Sequence, residues 1–394
     1  NREVKSDSAD GTTYCGRVGH RLSLWPLQFI VGAFFYIYVK VQNMKSIYNV
    51  LGVMSGTSID GIDLCYCCFT LDREWTYEII KCETILYDNY WFEKLSTAVL
   101  LSKPEISLLN NEYTFFLASV VNQFIHNNNL TNIDFVSSHG HTVFHKPKSN
   151  YTFQLGNLIE FRNLISFPVV CDFRIQDIQL GGQGAPLVPI GDLLLFKDYK
   201  YCINLGGFSN SSVKSENEII AYDICPVNIV LNKYSRKIGY EFDKNGSISK
   251  SGVINAKLLT DLNDLSFYSL KHPKSLGLEW VDKNIFPIID SYNLTIPDIL
   301  RTFSEHVSIQ VSKTINDKNA SILFTGGGVK NNFLFSLIRK RLPNSFCKPN
   351  NDLIDFKEAL IFGFLGVLKI RNEVNCLKSV TGALKDHSSG IIFE

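Results

Sequence analysis

The chain has no G-x-x-x-x-G-K-[ST] and no G-x-G-x-x-G in its 394 residues, which excludes a Walker A loop and a dinucleotide fingerprint. Charge of one sign is also lacking. With 39 Lys and Arg against 38 Asp and Glu, the net charge is +1, so no basic field marks nucleic acid as a partner. No low-complexity tract or short-period repeat occurs, which excludes a solenoid. The ten cysteines, at 15, 65, 67, 68, 82, 171, 202, 225, 347 and 376, lie mostly in apolar, strand-like runs. Cys65 and Cys68 form a C-x-x-C with no second pair. Reduced core thiols of a cytosolic protein are expected, not a disulfide framework, a zinc site or a redox motif.

Methionine is scarce too, with Met44 and Met54 alone. "MKSIYNVLGVMSG" reads as a natural start with its first strand four residues in. Upstream, Leu22–Val39 is 18 residues of mostly apolar character, near the lower limit for crossing a bilayer. Pro26, Gln28 and Gly32 interrupt it, and no small-residue cleavage site precedes Lys40. Residues 1–43 are therefore expected to be a non-native or disordered extension, the alternative being a membrane anchor.

From Met44 onward, hydrophobic patterning alternates strands and helices. Strand-like runs at Tyr48–Met54, Ile62–Phe69 and Glu78–Leu86 precede helices from about Tyr90 and over Glu105–Asn127. "IDFVSSHGH" reads as a strand delivering a polar tip, Ser138 to His141, and "SFPVVCDFR" delivers Asp172 and Arg174 in the same way. The second half repeats this grammar through "YKYCINLGGFSN", "IIAYDIC", "PVNIVLNKYSRKIG" and "ASILFTGGGVKNNFLFSLIRKRL". Thr295 caps a helix with Ile299, Phe303, Val307, Val311 and Ile315 on one stripe. "IDFKEALIFGFLGVLKI" closes as a mostly buried helix. Two α/β domains follow: residues 44–165 with 358–394, and residues 166–357.

Three of these strands end in glycine turns: "MSGTSIDG", "NLGGFSN" and "TGGG". Glycine leaves backbone N–H groups open to phosphate oxygens. Gly206, Gly207, Gly326 and Gly327 stand in the second and third turns, and Ser55, Thr57, Ser58, Ser209 and Thr325 add hydroxyls. A nucleotide is the expected ligand. No lysine stands in the first turn, so phosphate charge must be met by backbone dipoles and a metal ion. Asp60 and Asp63 would repel bare phosphate, which points to Mg²⁺, with Asp60 as its ligand. Asp63 equally suits a role as a turn cap.

"GVMSGTSIDGID", "SSHGHTVFHKP", "VVCDFRIQDIQLGGQGAPLVP", "INLGGFSN", "TGGGVKN" and "KEALIFGFL" follow one another in the order found in anhydro-N-acetylmuramic acid kinases. The chain resembles that family from about Ser46 to "SVTGA", Ser379 to Ala383. The resemblance implies an actin/hexokinase-type fold of two RNase H-like domains, with ATP and sugar between them. It implies a reaction of 1,6-anhydro-N-acetylmuramic acid, ATP and water to N-acetylmuramic acid 6-phosphate and ADP, in peptidoglycan recycling. By the same resemblance Gly56, Thr57, Ser58, Ile59, Asp60, Gly61, Ile62 and Asp63 form the ATP segment, and Asp172 is the catalytic base. A homodimer is implied only in this way.

Opening an internal acetal with water needs a carboxylate to take the water's proton. Asp172 leaves an apolar strand, where burial tunes such a group; the alternative is a salt bridge to Arg174. Asp177 sits further from the strand end. Arg174, Gln183, His139 and Glu358 are the expected sugar contacts, with core hydrogen bonding the alternative for His139 and a solvent-facing charge for Glu358. His139, His141 and His145 match no zinc spacing. Where the family often has "FDTGPGN", this chain has "YDICPVN", Tyr222 to Asn228, which leaves a close backbone approach to ligand there in question. The rival function is an actin- or Hsp70-like ATPase acting on a protein partner.

Overall fold

Strand β1 (Ile47–Ser55) is buried along nearly its whole length because both faces of its sheet are covered. On one side Leu51 and Val53 join the core built on the Lys103–Asn127 helix. On the other, Val50 joins the core of the Asn351–Ile370 helix. Gly52 lets that second helix close on the strand. A Cβ at Gly52 would lie 2.0 Å from the carbonyl oxygen of Ala359. Gly52→Val is therefore expected to cost at least about 1–3 kcal/mol, read as a lower urea midpoint; an unchanged midpoint would refute this packing.

The computed structural model describes residues 45–215, 218–343 and 345–394, and the 1–43 extension with Leu22–Val39 lies outside them. Strands β2 (Gly61–Leu71) and β3 (Trp75–Leu86) continue antiparallel from β1. After the buried Trp75, the strand mixes half-buried and exposed positions, as befits the outer strand of a sheet. On the other side of β1, β4 (Phe135–Lys146) and β6 (Val169–Cys171) add in parallel. β5 (Tyr151–Leu155) pairs with the far half of β4.

A second sheet repeats the plan. β7 (Tyr201–Leu205), β8 (Phe208–Lys214) and β9 (Ile219–Pro226) run antiparallel, and β10 (Ile322–Thr325) and β11 (Phe346–Cys347) extend β7 in parallel. Finally β12 (Ile391–Phe393) closes the first sheet against β6. The orders are 12-6-4-1-2-3 in seven strands, β5 lying off that path, and 11-10-7-8-9 in five. Without β5 and β12, the two sheets share one order and one set of strand senses. Helices Asn228–Arg236 and Ile296–Lys313 cover the second sheet, the latter through Ile299, Phe303, Val307 and Val311, with Ile315 just past its end.

Two expectations need correction. The boundary at 165/166 assigned Val169–Cys171 to the second domain, but these residues pair with β4 in the first sheet. Ser138–His141 are not a strand tip: β4 runs on to Lys146, bent at Gly140, whose φ is +72°. The nine described cysteines are all free, as reduced core thiols require. Among the described residues no helix is long and apolar enough to cross a membrane.

Candidate active site

Parallel strands deliver their ends to one side of a sheet, and here they open on a cleft of about 1150 Å³. Asp63 and Met54 reach its wall from the first sheet, and Asn204, Gly206 and Asn210 from the second. Gly326 and Gly327 follow β10, and Asp355, Lys357 and Glu358 come from the Asn351–Ile370 helix.

The glycine turns are built for close approach. Gly326 has φ +84°, and a Cβ there would lie 2.3 Å from Oδ1 of Asn204, so only glycine fits. The carbonyl of Gly207 accepts the Val227 N–H at 2.8 Å, tying the turn to the start of the next helix. Gly207 itself is off the cleft wall. Ser209 and Thr325 are fully buried beneath the turns, their hydroxyls without partners among the described residues. In the β1–β2 turn, Thr57, Ser58 and Asp60 are exposed. Of the segment from Gly56 to Asp63, only Asp63 reaches the cleft wall.

The departure at 222–228 is resolved by packing. Ile224, Cys225 and Val227 are buried core residues, so the larger side chains fill the interior. Tyr222 and Asp223 face the cleft. Asp223 accepts the Leu276 N–H at 2.7 Å, and burial pushes its carboxyl above the ordinary range.

Asp172 lies at the end of β6 with φ +58°, a conformation that costs a non-glycine residue about 1–3 kcal/mol. Burial alone pushes its pKa up to about 6. No cation among the described residues pairs with it, so the salt bridge to Arg174 is not formed. Arg174 Nε donates to Nε2 of His139 at 2.9 Å, and Nη1 donates to the Gly184 carbonyl at 2.6 Å. Since His139 accepts at Nε2, its Nδ1 carries the proton and donates to the Gly140 carbonyl at 2.8 Å. Burial, then the Arg174 charge, holds His139 well below the usual histidine range. His139 is thus a buried brace behind Arg174 and does not reach the cleft wall. Arg174, Gln183 and Glu358 do; Asp172 is not on that wall and stands two residues before Arg174 in the chain.

Carboxylates also line the cleft, at Asp63, Asp355 and Glu358. Burial raises the Asp63 carboxyl, the hydrogen bond from Thr84 opposes this, and the charges of Asp355 and Asp60 add to the rise. Glu358 looks into the open cleft with protein packed around it. Burial and then Asp63 push its carboxyl up, against Arg174 and Lys357. These oxygens are the donor type a hard divalent cation takes, although among the described residues they are not drawn together as a ligand cluster.

Lys357 escaped sequence reasoning, and Ser55, His141, His145 and Asp177, all weighed from the sequence, take partners it did not name. Lys357 forms a buried ion pair with Asp192 at 2.6 Å, their side chains 7% and 2% exposed. His141 Nδ1 meets Ser55 Oγ at 2.8 Å, Ser55 bonds on to Tyr87, and Tyr87 to Tyr113. His145 lines the cleft and contacts Thr152. Asp177, fully buried, accepts from Gly184 N–H at 2.6 Å and from the Thr381 hydroxyl at 2.7 Å. The one available signal for that last contact was "SVTGA", which contains Thr381.

A family model described as anhydro-N-acetylmuramic acid kinase matches residues 48–394. The anhydro-N-acetylmuramic acid kinase of Pasteurella multocida is 32% identical over 370 residues, covering 87% of this chain and 96% of that protein. Its counterpart from Mannheimia succiniciproducens is 32% identical over 379 residues, covering 89% and 99%. That of Haemophilus influenzae is 31% identical over 384 residues, again covering 89% and 99%. With its glycine turns, its Asp172 and the order of its motifs, the chain belongs to the anhydro-N-acetylmuramic acid kinase family.

Proposed function

We propose that this protein phosphorylates 1,6-anhydro-N-acetylmuramic acid with ATP while water opens the anhydro ring, giving N-acetylmuramic acid 6-phosphate and ADP in cell-wall recycling. The observation that carries this reading is Asp172: a carboxyl raised to about 6, without a cation partner among the described residues, two residues before Arg174 on the wall of a cleft that also gathers glycine turns. A base poised near neutral pH is what activation of water requires. Asp172 takes a proton from water as the water oxygen bonds to the anomeric carbon. The bond from C1 to O6 breaks, and O6 attacks the γ-phosphorus as the bond to the β-phosphate oxygen breaks.

In this reading the two sheets are cores of two RNase H-like domains, with nucleotide and sugar between them. Gly206, Gly326 and Gly327 present backbone to the nucleotide, and Arg174, Gln183 and Glu358 face the sugar. Asp60 and Asp63, near Asp355 and Glu358, would hold Mg²⁺, which neutralises phosphate charge when bound. The free thiols of the nine described cysteines support a cytosolic setting, and the family resemblance supports a homodimer.

Incubation with ATP and the anhydro sugar, followed by mass spectrometry, tests the activity. The 6-phosphate of the opened sugar is expected. ATP hydrolysis without sugar phosphate would instead mark an ATPase serving a protein partner. Asp63→Asn and Asp60→Ala are each expected to weaken nucleotide binding in Mg²⁺ by about tenfold or more and to leave Mg²⁺-free binding nearly unchanged. Calorimetry in both conditions reads this, and equal affinities in all variants would remove these carboxylates from the site.

A further inference from the structure

His387 turns a buried ring nitrogen toward a carboxylate oxygen. Its Nδ1 lies 3.1 Å from the Lys385 carbonyl oxygen; a carbonyl only accepts, so Nδ1 carries a proton. In the neutral ring Nε2 is then a lone pair. It has no hydrogen-bond partner among the described residues, the residue is 5% exposed, and Oδ1 of Asp177 stands 3.6 Å away. Two buried acceptors facing each other repel unless a cation lies between them.

Cys376 Sγ is 3.0 Å from the same Oδ1, and the three ligand atoms lie within 4.8 Å of one another. Two ligands on one tetrahedral zinc, each about 2.0–2.3 Å from the ion, stand roughly 3.3–3.7 Å apart. Two of the three separations here, 3.6 and 3.0 Å, are close to that already. Sulfur, imidazole nitrogen and carboxylate oxygen are the donor set of zinc rather than of magnesium or calcium. The contact from Nδ1–H to a backbone carbonyl is the outer partner that metal-binding histidines commonly have.

We propose that Asp177, Cys376 and His387 form a binding site for a borderline-soft divalent cation of the Zn²⁺ class, separate from the cleft. The ion takes the lone pairs of Nε2 and Oδ1 and replaces the proton on Sγ, which leaves for solvent. One proton is released per ion and nothing is oxidised or reduced. Oδ2 of Asp177 holds Gly184 N–H, and the Thr381 carbonyl holds Gln183 N–H at 2.8 Å. The ion therefore fastens the glycine-rich loop of the cleft to the 376–387 segment, as a structural site.

Co²⁺ is the probe, added to chelator-treated full-length protein. One equivalent is expected to bind, with a thiolate-to-cobalt charge-transfer band and release of about one proton. Cys376→Ser should lose the band, His387→Gln should lose at least tenfold in affinity, and Cys65→Ser should change neither. Circular dichroism melts check that each variant is folded, and the His387 variant decides if Cys376→Ser is not. Wild type that binds Co²⁺ without the band, or does not bind it, overturns the site. So does a band that survives Cys376→Ser or an affinity unchanged in His387→Gln.

Discussion

Asp172→Asn is expected to lower kcat by about 10²–10⁴-fold while leaving nucleotide affinity nearly unchanged. Asparagine keeps the shape of the side chain but accepts no proton from water. The substitution also removes a partly buried carboxyl that has no cationic partner, so the fold has no ion pair to lose and the melting temperature should not fall. The raised pKa adds a second signature. The base acts when ionised, so kcat/KM should fall as pH drops through about 6, where an ordinary aspartate would stay active to about 4. Near-normal activity in Asp172→Asn, or an acid limb near 4, would return Asp172 to a structural role.

The other large effect is on stability. Lys357→Met should cost about 3–5 kcal/mol, because it leaves Asp192 buried without its cation. The pair is 2.6 Å apart, with Lys357 on the cleft wall. Burial works against the Lys357 charge, and Asp192 with Cys202 more than offsets this, leaving the ammonium above its ordinary range. Replacing both members, Lys357→Met with Asp192→Leu, should recover most of the loss, since an apolar pair of similar bulk tolerates the same burial. Urea unfolding of the two singles and the double reads the cycle. A single variant within 1 kcal/mol of wild type would mean the pair is solvated in solution and does not anchor the helix.

What the sequence made legible was local. The stripe from Ile299 to Val311 repeats every four residues, and a helix of that period buries one face whatever lies against it. Two of the three glycine turns announced the wall of the cleft, through Gly206, Gly326 and Gly327, and at Gly326 only glycine allows the backbone. What stayed hidden was set by contacts distant in sequence. Arg174 stands two residues from Asp172, which made an ion pair the simple reading. The left-handed backbone at Asp172 instead sends the two side chains to different surroundings, and Arg174 finds His139 and Gly184. The Ser138–His141 stretch looked like a strand tip because polar residues usually end strands. Its continuation depends on β5, a partner the local pattern does not name. Lys357 lay inside "KEAL" as an ordinary helix charge until Asp192 came to meet it.

The most direct test of the account follows the oxygen of water. Run in ¹⁸O-water with ATP and the anhydro sugar, the reaction is predicted to place label on C1 of the sugar phosphate and none in its phosphoryl group, because Asp172 directs water at carbon. Label in the phosphoryl group or in free phosphate would mean that water attacks phosphorus, and would contradict the mechanism proposed for this site.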